Sequence, residues 1–315
     1  NAAANLVINN ATLKYTGAAT STDRLFTLGD SGATVDASGT GALVFTNTGA
    51  LAYSGTAGRL LTLTGTNADD NTMTPVLAND AYISSFTKAG TGKWVMKGAN
   101  TYTGVTTISG GTLNVGDGTD ASASLGTNTV SIGAGTTLNF NHNAAVTVAN
   151  AIDGAGQLNK LGGNTLSLTG VNSYTGATGT GTAGGVVFTN NTAPTTFGFT
   201  GSGAVTIEPS TTFATNGISN YTFANTISGF TWGKSSNVAD LTVASPFSIA
   251  GPISLYGGNI NLNANVSSSF ANAALLFKAS GNITQASVRA RCWCRPTNAQ
   301  SKATHSRLCT FDRPP

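Results

Sequence analysis

Residues 88–116, KAGTGKWVMKGANTYTGVTTISGGTLNVG, decide the fold. Three short apolar segments, Trp94–Met96, Val105–Ile108 and Leu113–Val115, alternate with the corners Gly90-Thr91-Gly92, Gly98-Ala99-Asn100 and Gly110-Gly111. No segment is long enough for a helix, and every corner uses residues that tolerate positive φ. The stretch reads as short strands that turn sharply, again and again. It also recurs: residues 158–176, LNKLGGNTLSLTGVNSYTG, align without a gap on 86–104, FTKAGTGKWVMKGANTYTG, at an offset of 72 residues. Lys88/Lys160, Gly90/Gly162, Gly98/Gly170, Asn100/Asn172 and Tyr102-Thr103-Gly104/Tyr174-Thr175-Gly176 are the identical pairs. Self-similarity at such a period marks a stacked architecture.

Outward from this core the chain repeats one local device. Leu61-Thr62-Leu63, Val130-Ser131-Ile132, Leu138-Asn139-Phe140, Leu166-Ser167-Leu168, Val205-Thr206-Ile207, Leu241-Thr242-Val243 and Ile260-Asn261-Leu262 all alternate apolar, polar, apolar. Period-2 alternation gives a strand one buried and one wet face. A sandwich built from hairpins wants longer strands at regular intervals. Strands this short are satisfied instead by pairing with the equivalent strand one coil away. The expected fold is therefore all-β: a parallel β-helix, or solenoid, over residues 1–287. With coils of roughly 20–25 residues, in the solenoid range, 72 residues make about three coils and the body about 12. Leu166 and Leu168 are then expected in the same strand row as Trp94 and Met96. Asn100 and Asn172 are expected to stack at corners, and Tyr102 and Tyr174 to pack over them. Residues 67–80, 178–185 and 267–272 break the rhythm and read as protruding loops.

The motif resembles a known family. K-x-G-x-G-x-W/L-x-L-x-G-x-N-x-Y-T-G followed by T-T-I-S-G-G-T-L-N-V-G is similar to the passenger-associated repeat of bacterial autotransporters, with Met96 where leucine is usual. The second copy departs after Gly176, where ATGTGTAGGVVF replaces the S-G-G-T-L-x-V half. Residues 24–56 resemble the sequence that precedes this repeat in large autotransporter-like proteins. Residues 255–284, LYGGNINLNANVSSSFANAALLFKASGNIT, resemble filamentous-haemagglutinin-type exoproteins instead. Both resemblances imply a right-handed parallel β-helix displayed outside the cell.

Composition narrows the alternatives. Charged residues make up 9% of the chain, with Glu208 the single glutamate, and no window has the pattern of an amphipathic helix. The net charge of +3 comes from the end of the chain: residues 288–315 carry six basic residues against Asp312, while the rest has nine basic and eleven acidic residues. The body therefore gives no support to a nucleic-acid partner. Cys292, Cys294 and Cys309 also fall in that tail, and a cysteine-free body suits passage through an oxidising periplasm. Residues 288–315 lack strand triplets and glycine corners, and read as a disordered tail or a reading-frame artefact. The chain shows neither a secretory leader at Asn1 nor an apolar run near 18 residues to cross a membrane as a helix.

Candidate chemistry is sparse. Gly29-Asp30-Ser31-Gly32 spells the GDSG of trypsin-like proteases, but such a serine needs a histidine base, and His142 and His305 both come later in the chain. Gly90-Thr91-Gly92-Lys93 is followed by Trp94, not Ser or Thr, and has no P-loop frame. Cys292-Trp293-Cys294 has the wrong spacing for zinc, and Gly116-Asp117-Gly118-Thr119-Asp120 is an isolated cluster of oxygen ligands without the repetition of calcium β-rolls. A polysaccharide lyase or hydrolase on a β-helix needs paired carboxylates, or carboxylates with Arg or Lys, across a groove. The scattered acidic residues offer no convincing pair, and Asp36 and Asp153 are the ones left that could line such a groove. The expectation is thus no catalytic, cofactor or metal site. What the resemblance implies is a non-enzymatic stalk or adhesin on the surface of a Gram-negative bacterium, or released from it. It would be exported through an outer-membrane translocator barrel, in cis or as a separate partner, and would meet a host or neighbouring cell surface. The alternative is the carbohydrate-active enzyme.

Overall fold

The computed structural model of the 315-residue chain describes residues 3–189, 197–213, 217–219, 221–270, 273–286 and 307–309. Apart from one turn of 3-10 helix at Ala3–Asn5, every element in it is a strand, and the strands stack in parallel sheets as a β-solenoid of about 12 turns. The chain divides into two compact units, residues 1–164 with 172–176, and residues 165–171 with 177–315.

In the first unit one ladder is built, coil upon coil, from Ala11–Tyr15, Ala33–Ala37, Arg59–Thr64, Ser84–Lys88, Thr106–Ile108, Val130–Ile132 and Ile152–Gly154. A second ladder runs through Thr20–Thr22, Leu43–Phe45, Asn71–Met73, Lys93–Met96, Thr112–Val115, Thr137–Phe140 and Gln157–Lys160. The alternation in sequence explains the packing. Trp94, Leu113, Leu138 and Leu158 fall in one register column and are all buried, while in the adjacent column Val95 and Asn114 are covered and Asn139 and Asn159 are half-buried. Corner glycines let the backbones of successive coils touch. At Gly90 and Gly111, both at positive φ, an added Cβ would lie 2.5 Å from the Gly65 carbonyl oxygen and 2.2 Å from that of Gly92. No other residue fits there without moving a coil.

In the second unit the longest ladder contains Thr165–Leu168, Gly185–Thr189, Ala204–Glu208, Phe230–Trp232, Ile253–Gly257 and Leu275–Ala279. Leu168, Phe188, Ile207, Trp232, Leu255 and Phe277 form one buried inner column. Residues 255–284, the haemagglutinin-like stretch, supply further rungs, including Ile260–Leu262 and Ile283–Gln285. Aromatic rings fill the space between the sheets here: Phe223 lies 5.4, 4.7 and 5.0 Å from the ring centres of Phe199, Phe230 and Phe247. Of residues 288–315, only 307–309 are described; Arg307–Cys309 pairs antiparallel with Leu275–Ala279. The rest of that tail, with Cys292, Cys294 and His305, lies outside the described residues.

Two sequence expectations need correction. The repeat copies do not share a strand row. Along the second ladder, Trp94 to Leu158 is 64 residues and three coils, so an offset of 72 carries Leu166 eight residues further, past the next corner and into a different sheet. Leu166 and Leu168 are buried as expected, but in a new column. The supposed loops also carry rungs. Asn71–Met73 lies within 67–80 and is wholly buried, Thr178–Gly179 lies within 178–185, and Val266–Ser268 overlaps 267–272. Short polar rungs had the composition of loops.

Candidate functional site

The interior contains polar devices that serve the stack. Lys88 stands in the inner column Val35–Leu63–Lys88–Ile108–Ile132, fully buried among aliphatic neighbours. Its ammonium donates to the carbonyls of Ala89, Gly90 and Gly110, at 2.6, 3.0 and 2.9 Å, and burial pushes its pKa down to about 8. The glycine corner supplies those acceptors. Lys160 repeats the arrangement, buried and donating to Gly162 O at 2.8 Å, and burial lowers its pKa too. Asn100 takes the Leu77 N–H on its Oδ1 at 2.8 Å and donates from Nδ2 to Ser124 O at 2.7 Å. Its amide therefore acts as an extra peptide group between three coils. Asn71 does the same between Leu43 N and Lys93 O, both at 2.9 Å, and Asn237 between Phe213 N and Tyr256 O. Asn172 forms a backbone bridge with Ile152. The longer asparagine stack lies elsewhere, on the outer face: Asn159 donates to Asn139, which donates to Asn114, at 2.9 and 2.7 Å. Tyr102 and Tyr174 are buried, and the Tyr102 hydroxyl meets Thr106 Oγ1 at 2.7 Å.

The motifs weighed for chemistry are kept apart. Asp30 accepts from Thr56 N at 3.2 Å and Ser31 N donates to Asn9 Oδ1 at 2.8 Å, so the GDSG run is a bonded corner. His142 is buried four rungs away, about 19 Å at the strand spacing, and its Nε2 donates to Ala123 O at 2.8 Å. Lys93 is paired with Asp70 at 2.8 Å. In the Gly116–Asp120 corner a cation is already built in: the Lys97 ammonium lies 2.5 Å from Asp117 and 3.6 Å from Asp120. Burial would raise the Asp117 carboxyl, but the bonds from Lys97 and Thr119 outweigh it and hold it down at about 2. Asp36 and Asp153 sit five rungs apart on the first ladder, about 24 Å, far beyond the separation that glycosidase carboxylates need. No group of three metal-ligating side chains occurs among the described residues.

What sequence reasoning missed is the outer face of the first ladder. Thr12, Thr34, Thr62, Thr87 and Thr107 form one outward column in strict register. Beside it runs a column in which Leu60 faces Ser85, flanked by Gly32 and Val105. Two clefts open along it, of about 230 Å³ over Gly32 and Thr34 and about 540 Å³ over Ser85 and Thr87, both walled by Leu60. Leu60, Ile83 and Val105 are 41%, 58% and 49% exposed, a concentration of apolar surface on one side of the clefts. A column of outward threonines was visible in the triplets, but its register was not.

The family profile of the passenger-associated transport repeat matches residues 86–115 and again 158–182. The chain carries autotransporter passenger repeats. The first match takes in two successive rungs of each ladder, from Phe86 to Val115, with the glycine corners and Lys88 between them. The chain is also 40% identical over 159 residues to the adhesin BmaC autotransporter of Brucella suis biovar 1 (strain 1330), an alignment covering 49% of this chain and 4% of that protein. The passenger repeat chain thus spans a small fraction of that relative's length. No solved structure matches it. Passenger repeats of this family belong to proteins presented at or beyond the surface of a Gram-negative cell.

Proposed function

We propose that residues 1–287 are a segment of a non-enzymatic adhesin passenger, with 288–315 a separate tail. The segment presents its outer faces to another surface and is exported through an outer-membrane translocator barrel belonging to the same protein. The observation that supports this best is that buried polar groups such as Lys88, Asn71, Asn100 and Asn237 bond between or across coils instead of converging on a reaction centre. The resemblance to an adhesin over half the chain points the same way. The partner is the surface of a host or neighbouring cell.

The test is display. The chain, fused to an outer-membrane barrel on a non-adherent Gram-negative host, should raise attachment to cultured cells or to sister bacteria several-fold over the barrel alone. An unrelated parallel β-helix displayed in the same way controls for bulk. Attachment no better than that control would refute the adhesin reading, and release of reducing sugar from a panel of polysaccharides would refute the non-enzymatic one.

A further inference from the structure

We propose that the paired clefts on the outer face of the first ladder bind a linear, uncharged 1,4-linked β-glycan lying along the stack. This rests on the adhesin reading and names the class of its ligand. Three features of the face select that chemistry. The floor is a line of threonine hydroxyls at one strand interval, about 4.8 Å, and none of the five has a side-chain partner among the described residues. Each can both donate and accept, as a sugar hydroxyl requires. Along the clefts, Leu60 and Val105 stand up while Gly32 and Ser85 leave notches. Gly32 is at positive φ, so the first notch is a backbone requirement that a side chain would strain.

The two notches are two rungs apart, about 9.6 Å at the strand spacing. A 1,4-linked β-glycan turns each sugar by half a revolution, so the same face returns at every second sugar, at close to this interval. An extended peptide returns the same face at about 6.7 Å, which matches neither one rung nor two. Apolar edges at Leu60, Ile83 and Val105 suit the C–H faces of pyranose rings. Charge argues against an acidic polymer. Arg59 is only 3% exposed and is tied to Asp80 at 2.7 Å, and Lys14 is paired with Asp36. The one carboxylate at the cleft, Asp30, would repel an anion.

The experiment titrates the full chain with cellohexaose and N-acetylchitohexaose, and with the matching disaccharides, by calorimetry or NMR shifts. At least one hexamer should bind, with its disaccharide about tenfold weaker because it fills one notch. Ser85→Leu, which fills the second notch, should weaken the hexamer at least fivefold, as should the combined change Thr34→Val, Thr62→Val and Thr87→Val. The urea midpoint of each variant checks that the coils remain stacked, and the valine variant serves if the leucine one unfolds. No binding of either hexamer at millimolar concentration, or equal binding by the folded variants, would overturn the proposal. If the displayed chain still promotes attachment while neither hexamer binds, the glycan assignment falls and the adhesin reading stands.

Discussion

The buried ammonium of Lys88 should make the protein more stable as the solution becomes alkaline. The folded group titrates at about 8 and the unfolded one at its ordinary 10.5. Between those values the unfolded chain holds a proton that the folded chain has released, so unfolding becomes harder with rising pH. One pKa unit corresponds to about 1.4 kcal/mol. Allowing for a rounded onset near pH 8, the gain by pH 10 is about 2 kcal/mol. Lys160 is shifted the same way and adds to it. Above pH 10 the trend reverses, because burial holds the Tyr102 phenol at about 12 and raises Tyr53 and Tyr221. These phenols ionise first in the unfolded chain and favour it. Urea unfolding followed by the fluorescence of buried Trp94 and Trp232, at intervals from pH 7 to 10, measures the effect. Lys88→Met should flatten the rise without abolishing it. A wild-type midpoint that stays level or falls between pH 8 and 9.5, or a variant that rises as steeply as wild type, would refute the assignment of a charged lysine held at a desolvation cost.

Two further outcomes follow from other polar devices. Asn100→Ala leaves the Leu77 N–H and the Ser124 carbonyl without a partner and should lower stability by about 2–4 kcal/mol; Asn100→Asp should not restore it, since a carboxylate cannot donate to Ser124. The Asp117 carboxyl, held at about 2, contributes stability that is complete above the ordinary value of 3.8 and lost as pH falls towards 2. Lys97→Met should therefore lower stability at pH 7 and move the acid-unfolding midpoint upward, as followed by far-ultraviolet circular dichroism, with the difference from wild type shrinking as pH falls towards 2.

The architecture was legible because the strands obey one rule. Where two aliphatic residues flank a Thr, Ser or Asn, as at Leu113–Val115 or Val205–Ile207, the strand exists and the flanking pair is buried, although in Val146-Thr147-Val148 only Val148 is. The rule failed where an inward position is polar. Asn71 looks like a loop residue, yet its amide replaces a peptide group and lies wholly inside. Lys88 looks like a surface charge, yet the glycine corner beside it leaves three carbonyls for its ammonium. The repeat offset misled for a geometric reason, since similarity records the strand-and-corner unit and the coil count depends on loop lengths between units. The threonine clefts were invisible because their shape depends on which residue lies beside which across coils 20–28 residues long.

Lys88 has one more consequence, for error rather than for energy. Rungs of a stack look alike, so a coil that slipped by one place would still find apolar neighbours and backbone partners. Aliphatic columns cannot detect that mistake. An ammonium can, because its three acceptors come from its own corner and from Gly110 in the following coil, and nowhere else among its column mates. A slipped Lys88 would keep Ala89 and Gly90, which move with it, but lose Gly110, a charged hydrogen bond of about 1.5–3 kcal/mol. A slip between the coils of Arg59 and Asp80 would cost Arg59 that carboxylate and the ring of Tyr82. Such residues number the rungs, so that a chain built from near-identical steps still has one correct count.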